Sequence, residues 1–338
     1  MTATGWRPGV PDGAVARTAL FGAGLAALAV LAVLSVGVGA HSIAPADVVR
    51  ALVDYDGTPD QTIVRDVRAP RALLAIAVGA ALGVAGVLIQ TLSRNPLAEP
   101  GVLGVTVGAA FAMTVGLALG AASTPLAELV LSMGGAVLAA TLVYAVGRTS
   151  PLRLVLAGVA LSAVLSGLSL GLRLMLPDTL DAYRFWYVGS LAGREQTPLA
   201  WPLAAIGVAL LGALLLGRSL GAVALGEAVA RTLGVSVVRV RFAALALITV
   251  LVGAATAVAG PILFVGLIVP HVTRRLARGS VPWLTANSMI VGAMLLLAAD
   301  MGARVLLPTG EMPVAIVTAF LGGPVLIWVV RRYGTGTL

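Results

Sequence analysis

The chain has 338 residues, 59% of them hydrophobic and 11% charged, with a mean hydropathy of +1.04. No soluble domain carries so little charge over such a length, so the composition defines a polytopic membrane protein. There are no cysteines, which excludes disulfides and thiolate metal sites, and all 22 basic residues are arginine. A Walker A loop needs its lysine to reach the phosphates, so the chain is expected to lack ATP hydrolysis of its own. The net charge of +8 is not read as a nucleic-acid signal, because in a membrane protein the distribution of arginine matters more than its total. His41 and His271 lie far apart without an accompanying carboxylate cluster, so no metal site or cofactor is expected.

Residues 1–17 form a polar lead with Arg7 and Arg17, and Thr18 to Ala40 is long enough to span a bilayer. Gly39-Ala40 could resemble a signal cleavage site, but the apolar run is longer than a typical signal core and many spans follow it. A polar, acidic stretch over 41–70 ends in Arg65, Arg68 and Arg71. Spans follow at about 71–91, 102–121, 127–147 and 154–176. A second polar segment, 177–198, precedes spans at about 199–217, 242–259, 284–303 and 313–330, with a short apolar piece at 260–273. Counting that piece gives about ten transmembrane helices in an all-α permease domain over 18–332, with a tail at 333–338 and both termini on one side. With the N-terminus cytoplasmic, inner segments hold fourteen arginines and outer segments eight, together with eleven of the fourteen acids. That bias follows the positive-inside rule and places the 218–241 loop in the cytoplasm.

In that loop, Leu225, Val229 and Leu233 fall on one face of a short helix, while Glu227 and Arg231 pair at i,i+4 on the other. Gly234 is expected to stop the helix, and Ser236 to cap a second short helix carrying Arg239 and Arg241. An amphipathic helix between spans has the shape of a contact surface for another protein.

Two stretches match at an offset of 174: Val78-Gly79-Ala80-Ala81 with Val252-Gly253-Ala254-Ala255, and Val84-Ala85-Gly86 with Val258-Ala259-Gly260. Pro96 matches Pro270 at the same offset. Small-residue bias produces such strings too, but the shared proline favours an inverted repeat over about 68–176 and 242–330, since the copies lie an odd number of crossings apart. Asn95, Pro96, Gly260, Pro261 and Pro270 are read as breaks in the spans. No acid sits in mid-span, with Glu99 and Asp300 near breaks or ends, which weakens ion coupling and points to an external energy source. An autonomous secondary transporter and a membrane scaffold remain the rival classes. The outer arginines Arg68, Arg71 and Arg304 run against the positive-inside trend; they are either interface anchors or a docking set for a partner's carboxylates.

The chain resembles the FecCD family in Arg68-x-Pro-Arg71, Gly79 through Gln90, Arg94-Asn95-Pro96-Leu97-Ala98, Leu156-Ala157-Gly158 and Trp186 with Gly189-Ser190. Leu225-Gly226-Glu227 through Gly234-Val235, Gly260-Pro261 to Pro270-His271, Asp300 to Arg304, and Glu311-Met312-Pro313 continue the likeness, in order, over about residues 20–332. The resemblance implies a permease subunit of a type II ABC importer in the cytoplasmic membrane, moving a ferric siderophore or, alternatively, haem or vitamin B12. It implies four kinds of partner: a second permease subunit, identical or paralogous; two ATP-binding subunits in the cytoplasm; a substrate-binding protein outside; and the lipid bilayer. It also implies that Gly226, Glu227, Ala230, Arg231, Leu233 and Gly234 couple to the ATPase. Arg68, Arg71 and Arg304, with Arg65 nearby, would dock the binding protein. Thr149-Ser150-Pro151-Leu152 would lie in the cytoplasmic gate, where Pro151-Leu152 departs from the hydroxyl residues of vitamin B12 permeases and favours a siderophore.

Overall fold

The computed structural model describes residues 14–39, 43–147, 151–194, 198–307 and 310–333, and every regular element among them is helical. Helix α1 (Ala14–Gly37) is followed by the short α2 (Pro45–Val53) and α3 (Pro59–Thr62). The latter runs through a π-helical turn, Ile63–Arg68, directly into α4 (Ala69–Ser93). A 3-10 turn at Pro100–Leu103 leads to α5 (Val105–Ala118), α6 (Pro125–Gly147), α7 (Pro151–Met175) and α8 (Pro177–Tyr187). The second half holds α9 (Ala200–Ala224), α10 (Glu227–Thr232), α11 (Val237–Ala259), α12 (Val265–Ala277), α13 (Val281–Val305) and α14 (Val314–Tyr333).

Prolines mark several of these starts: Pro45, Pro59, Pro125, Pro151 and Pro177 each open a helix, where a missing N–H costs nothing. Pro70 lies within the continuous helix from Pro59 to Ser93, and the turn just before it is widened to π geometry. A proline leaves the carbonyl four residues earlier without its donor, and a π turn relieves the associated clash.

Among the described residues, seven helices are long and apolar enough to cross a membrane: α1, the α3–α4 unit, α6, α7, α9, α11 and α13. Shorter apolar helices occupy 105–118 and 314–328. With α12 they supply the ten expected segments, and the chain is an all-α polytopic membrane protein. Helix α1 already includes residues 14–17 of the lead read over 1–17.

The bundle is organised around α4, whose apolar stretch is 83% buried, against 11% for α1 and α7. Its glycines explain why. A Cβ on Gly79 would overlap the Gly292 carbonyl of α13, and one on Gly86 would overlap the Gly266 carbonyl of α12. Lipid offers no hydrophobic drive for helix association, so close backbone approach through small residues supplies the dispersion contacts instead. Gly108 of α5 and Gly135 of α6 meet in the same way.

The two halves share an element order: a long buried helix, a break, a half-length helix, then two more helices. The offset of 174 is not kept through the break, however. Pro96 lies in the irregular segment before α5, whereas Pro270 lies inside α12, which continues to Ala277. Pro270 is therefore not a break, and the Pro96–Pro270 match joins positions that differ in structure.

Candidate functional site

Three places in the bundle carry polar chemistry. The first is the turn between α9 and α11. Gly226 adopts φ 126°, a region that side chains rarely tolerate, and its carbonyl accepts the Ala230 N–H at 2.9 Å to start α10. The helix ends in a Schellman closure: Val235 N–H donates to the Ala230 carbonyl at 2.9 Å and Gly234, at φ 75°, donates to that of Arg231 at 3.0 Å. Ala230 is fully buried and seats the helix on the bundle. Glu227 accepts from Arg231 at 3.4 Å and, more tightly, from Arg241 on α11 at 2.5 Å. Arg94, at the end of α4, donates to the Val223 carbonyl at 2.9 Å, so α4, α9 and α11 are all tied to this turn.

Ser236 opens the long α11 itself, not a second short helix, and makes no side-chain cap. Leu225, Val229 and Leu233 are 72%, 42% and 62% exposed, so the described residues leave the apolar face of α10 largely open.

The second place is at the far end of α4 and α13. Arg71 grips Asp300 with Nε and Nη2, at 3.1 and 2.9 Å from Oδ1, and reaches Glu311 with Nη1 at 2.7 Å. Arg304 pairs with the other oxygen of Asp300 and donates to the carbonyls of Ser35 at 2.7 Å and Val38 at 3.0 Å. Arg68 donates to those of Val36 and Gly37 at 3.1 and 2.9 Å. The last carbonyls of a helix lack intrahelical donors and carry partial negative charge. Two of the three arginines thus cap α1, and the third ties α4 to α13.

Burial divides the expected docking set. Arg68, Arg71 and Arg304 are buried and committed within the chain, with Asp300 fully buried between the last two. Arg65 alone of the four is exposed, its guanidinium 4.9 Å from the Tyr55 ring centroid.

The third place is where the two breaks meet. Asn95 Oδ1 accepts the Leu97 N–H at 2.8 Å and its carbonyl accepts that of Ala98 at 3.1 Å, a turn that Pro96 pre-shapes. The chain then climbs back into the bundle to Glu99, whose Oε1 accepts the Phe264 N–H at 3.1 Å. Gly260 closes α11 at φ 73°, and Phe264 precedes α12 in the left-handed region at φ 69°. At 1.5 Å per residue, the 13 residues of α12 put Phe264 about 20 Å from the helix's other end, whose last turn holds Arg274 and Arg275. Irregular backbone at such depth survives only where protein buries it or where it lines a cavity. Both conditions hold: a cleft of about 710 Å³ opens here, lined by Glu99, Thr106, Tyr187, Leu263, Ala319 and Phe320 among others. Glu99 is thus drawn inward from the break where the sequence placed it.

Pro270 cannot donate to the Gly266 carbonyl, and Gln90 Nε2 does so instead at 3.2 Å, itself held by Arg274 at 2.7 Å. Sequence reasoning gave Gln90 no role. The signal was present: a lone amide in an apolar span, opposite a helix whose proline orphans an acceptor. Phe264 was missed outright, since nothing in an apolar segment marks a left-handed phenylalanine.

Of the expected gate residues, Ser150 lies outside the described residues, and Pro151 and Leu152 open α7. Beside them the ends of α4, α6, α7 and α11 enclose a small cavity of about 70 Å³, with Tyr144, Leu154 and Arg241 in its wall. At the opposite end, α8 folds over α7. Arg173 lies 4.2 Å from the centroid of Tyr183, which is buried. Burial, with Tyr187 adding to it, pushes the Tyr183 hydroxyl above the usual tyrosine range despite that cation.

A helical bundle with a deep cleft between broken spans and an exposed amphipathic turn at one end is the architecture of a membrane permease. The chain matches the FecCD transport family over residues 27–332 and belongs to it. It is 44% identical to the ferric enterobactin transport system permease protein FepD of Escherichia coli (strain K12), covering 96% of this chain and 99% of that protein. It is 40% identical to the Fe(3+) dicitrate transport system permease protein FecD of the same organism, over 90% and 96% of the two chains. A solved structure of an inward-facing, metal-chelate type ABC transporter superposes with TM-score 0.85 at 30% identity, covering 93% of this chain and 99% of that one.

Proposed function

We propose that this chain is the permease subunit of a binding-protein-dependent ABC importer that carries a ferric siderophore across the cytoplasmic membrane. The observation that carries this reading is the exposed apolar row Leu225, Val229 and Leu233, on a helix tied to α11 through Glu227–Arg241 and left uncovered by the described residues. A surface of this kind fits a soluble motor subunit, and the lysine-free chain has no phosphate loop of its own. The nature of the cargo rests on the relatives, whose substrates are ferric chelates. Two such chains, identical or paralogous, with two ATP-binding subunits would form the transporter. The Glu227 turn would lie in the cytoplasm with both termini, and the two halves of each chain would be inverted relative to one another.

In this reading ATP-driven closure of the motor pushes α10, and Glu227–Arg241 and Arg94–Val223 pass the displacement to α11, α4 and α9. Docking of the binding protein would use exposed Arg65 and the Arg71–Glu311 pair, of which Glu311 is half-exposed. The test is reconstitution in proteoliposomes with the motor and binding protein. Uptake of an iron–siderophore complex should require ATP, and uptake by this chain alone on a proton or sodium gradient would refute the assignment. Arg65→Glu should weaken retention of the binding protein, most at low salt where exposed charges are least screened.

A further inference from the structure

Phe264 is held in an uncommon conformation by contacts from two directions. Its left-handed backbone is fixed by the Glu99 carboxylate on its N–H, and its ring lies where a side chain on Gly322 of α14 would be. A Cβ on Gly322 would overlap the Phe264 ring, whereas a Cβ on the next residue, Gly323, would meet nothing within 4 Å. The start of α14 is pinned separately: Ala315 N–H donates to the Gly189 carbonyl at 3.0 Å, and Gly189 sits at φ 71° with Ala315 against it. Between these two anchors α14 presents Ile316, Ala319 and Phe320 to the 710 Å³ cleft. A bulky residue with φ above zero is a genuine outlier, and such strain persists only when its surroundings over-determine it.

We propose that Phe264 is a positioning residue for transport: seated in the Gly322 notch and latched by Glu99, it sets how far α14 stands from the two breaks and thereby the width of the cleft. That the cleft is the pathway rests on the function proposed above, while the seat itself rests on geometry alone. The linkage runs from Glu99 in the first break, through Phe264 in the second, to the helix forming the opposite wall. Switching of the pathway would draw α14 off this seat, so a packed knob and its notch supply two discrete arrangements in place of a continuous deformation.

The absence of cysteine makes the test direct, because a single Ala319→Cys reporter in the assembled transporter reads the cleft by its maleimide labelling rate. Gly322→Ala should raise that rate about tenfold, the factor that 1.4 kcal/mol of overpacking corresponds to. Phe264→Gly, which tolerates the backbone and deletes the ring, should raise it similarly, and Gly323→Ala should leave it at the parent value. The double variant Phe264→Gly/Gly322→Ala should label no faster than Phe264→Gly alone, since both changes remove one contact. Unchanged labelling in Gly322→Ala, an equal effect of Gly323→Ala, or additive single effects would overturn the seat. A variant that fails to assemble is replaced by Glu99→Ala, which releases the same residue from the other side and should also raise labelling; labelling at the parent rate there would count against the latch. In the parent, ATP should change the labelling rate, and the variants should lose that change. A parent indifferent to ATP would instead refute the cleft as pathway and leave the seat standing.

Discussion

The two ends of the bundle present a controlled contrast. Each carries arginines, acids and short connecting helices, and charge patterning marks both as surfaces for another protein. At one end Leu225, Val229 and Leu233 stand in the open around a buried Ala230. At the other Arg71 and Arg304 converge on a fully buried Asp300, with Arg68 and Arg304 on the last carbonyls of α1. The difference is one of geometry. A six-residue helix closed by glycines at both ends turns one face inward and leaves the rest free. Here the last carbonyls of α1 meet side chains from the start of α4 and the end of α13, and arginine satisfies those acceptors while its stem packs among apolar neighbours.

The sharpest break of this contrast is Asp300→Ala, which leaves two buried guanidinium groups without their shared carboxylate. Removing one partner of a buried pair costs about 3–5 kcal/mol, so thermal denaturation in detergent should show a large loss of stability; a change near zero would mean that the cluster is not an internal strut. Gly226→Val comes next, with about 1–3 kcal/mol of backbone strain at φ 126°. Here the permease should still fold, while ligand-stimulated ATP hydrolysis of the assembled transporter and uptake fall out of step. Val229→Asp should alter the stability of the isolated permease by no more than about 0.5 kcal/mol, yet motor subunits should no longer co-purify; retention of the motor would show that another surface seats it. The smallest effect is expected for Glu227→Gln. Its two carboxylate contacts are partly exposed, and exposed pairs contribute about 0–1 kcal/mol. The change should read mainly as a salt-sensitive loss of coupling in the ATPase assay.

A similar pairing explains what was legible at the breaks. Asn95-Pro96 and Gly260-Pro261 announce themselves by turn chemistry, and both end a helix as expected. Pro270 carries the same residue type and interrupts nothing, because Gln90, 180 positions earlier in the chain, supplies the missing donor. The compensation comes from another helix and is invisible to any local rule. The offset of 174 failed for a related reason. It aligned two prolines by residue type, while their roles depend on what packs beside them.

Composition and periodicity by themselves determined the membrane class, the ten segments, the glycine-stopped α10 and the Glu227–Arg231 pair. Each of these depends on neighbours within a few residues or on bulk apolarity. The tertiary structure alone decided the burial of Arg68, Arg71 and Arg304 and the open face of α10. It also decided the descent of Glu99 to the Phe264 N–H and the seat of that ring in α14. These rest on which helix ends meet and at what depth, and in a chain where nearly every span is apolar no sequence pattern distinguishes the face that meets a neighbour from the face that meets lipid.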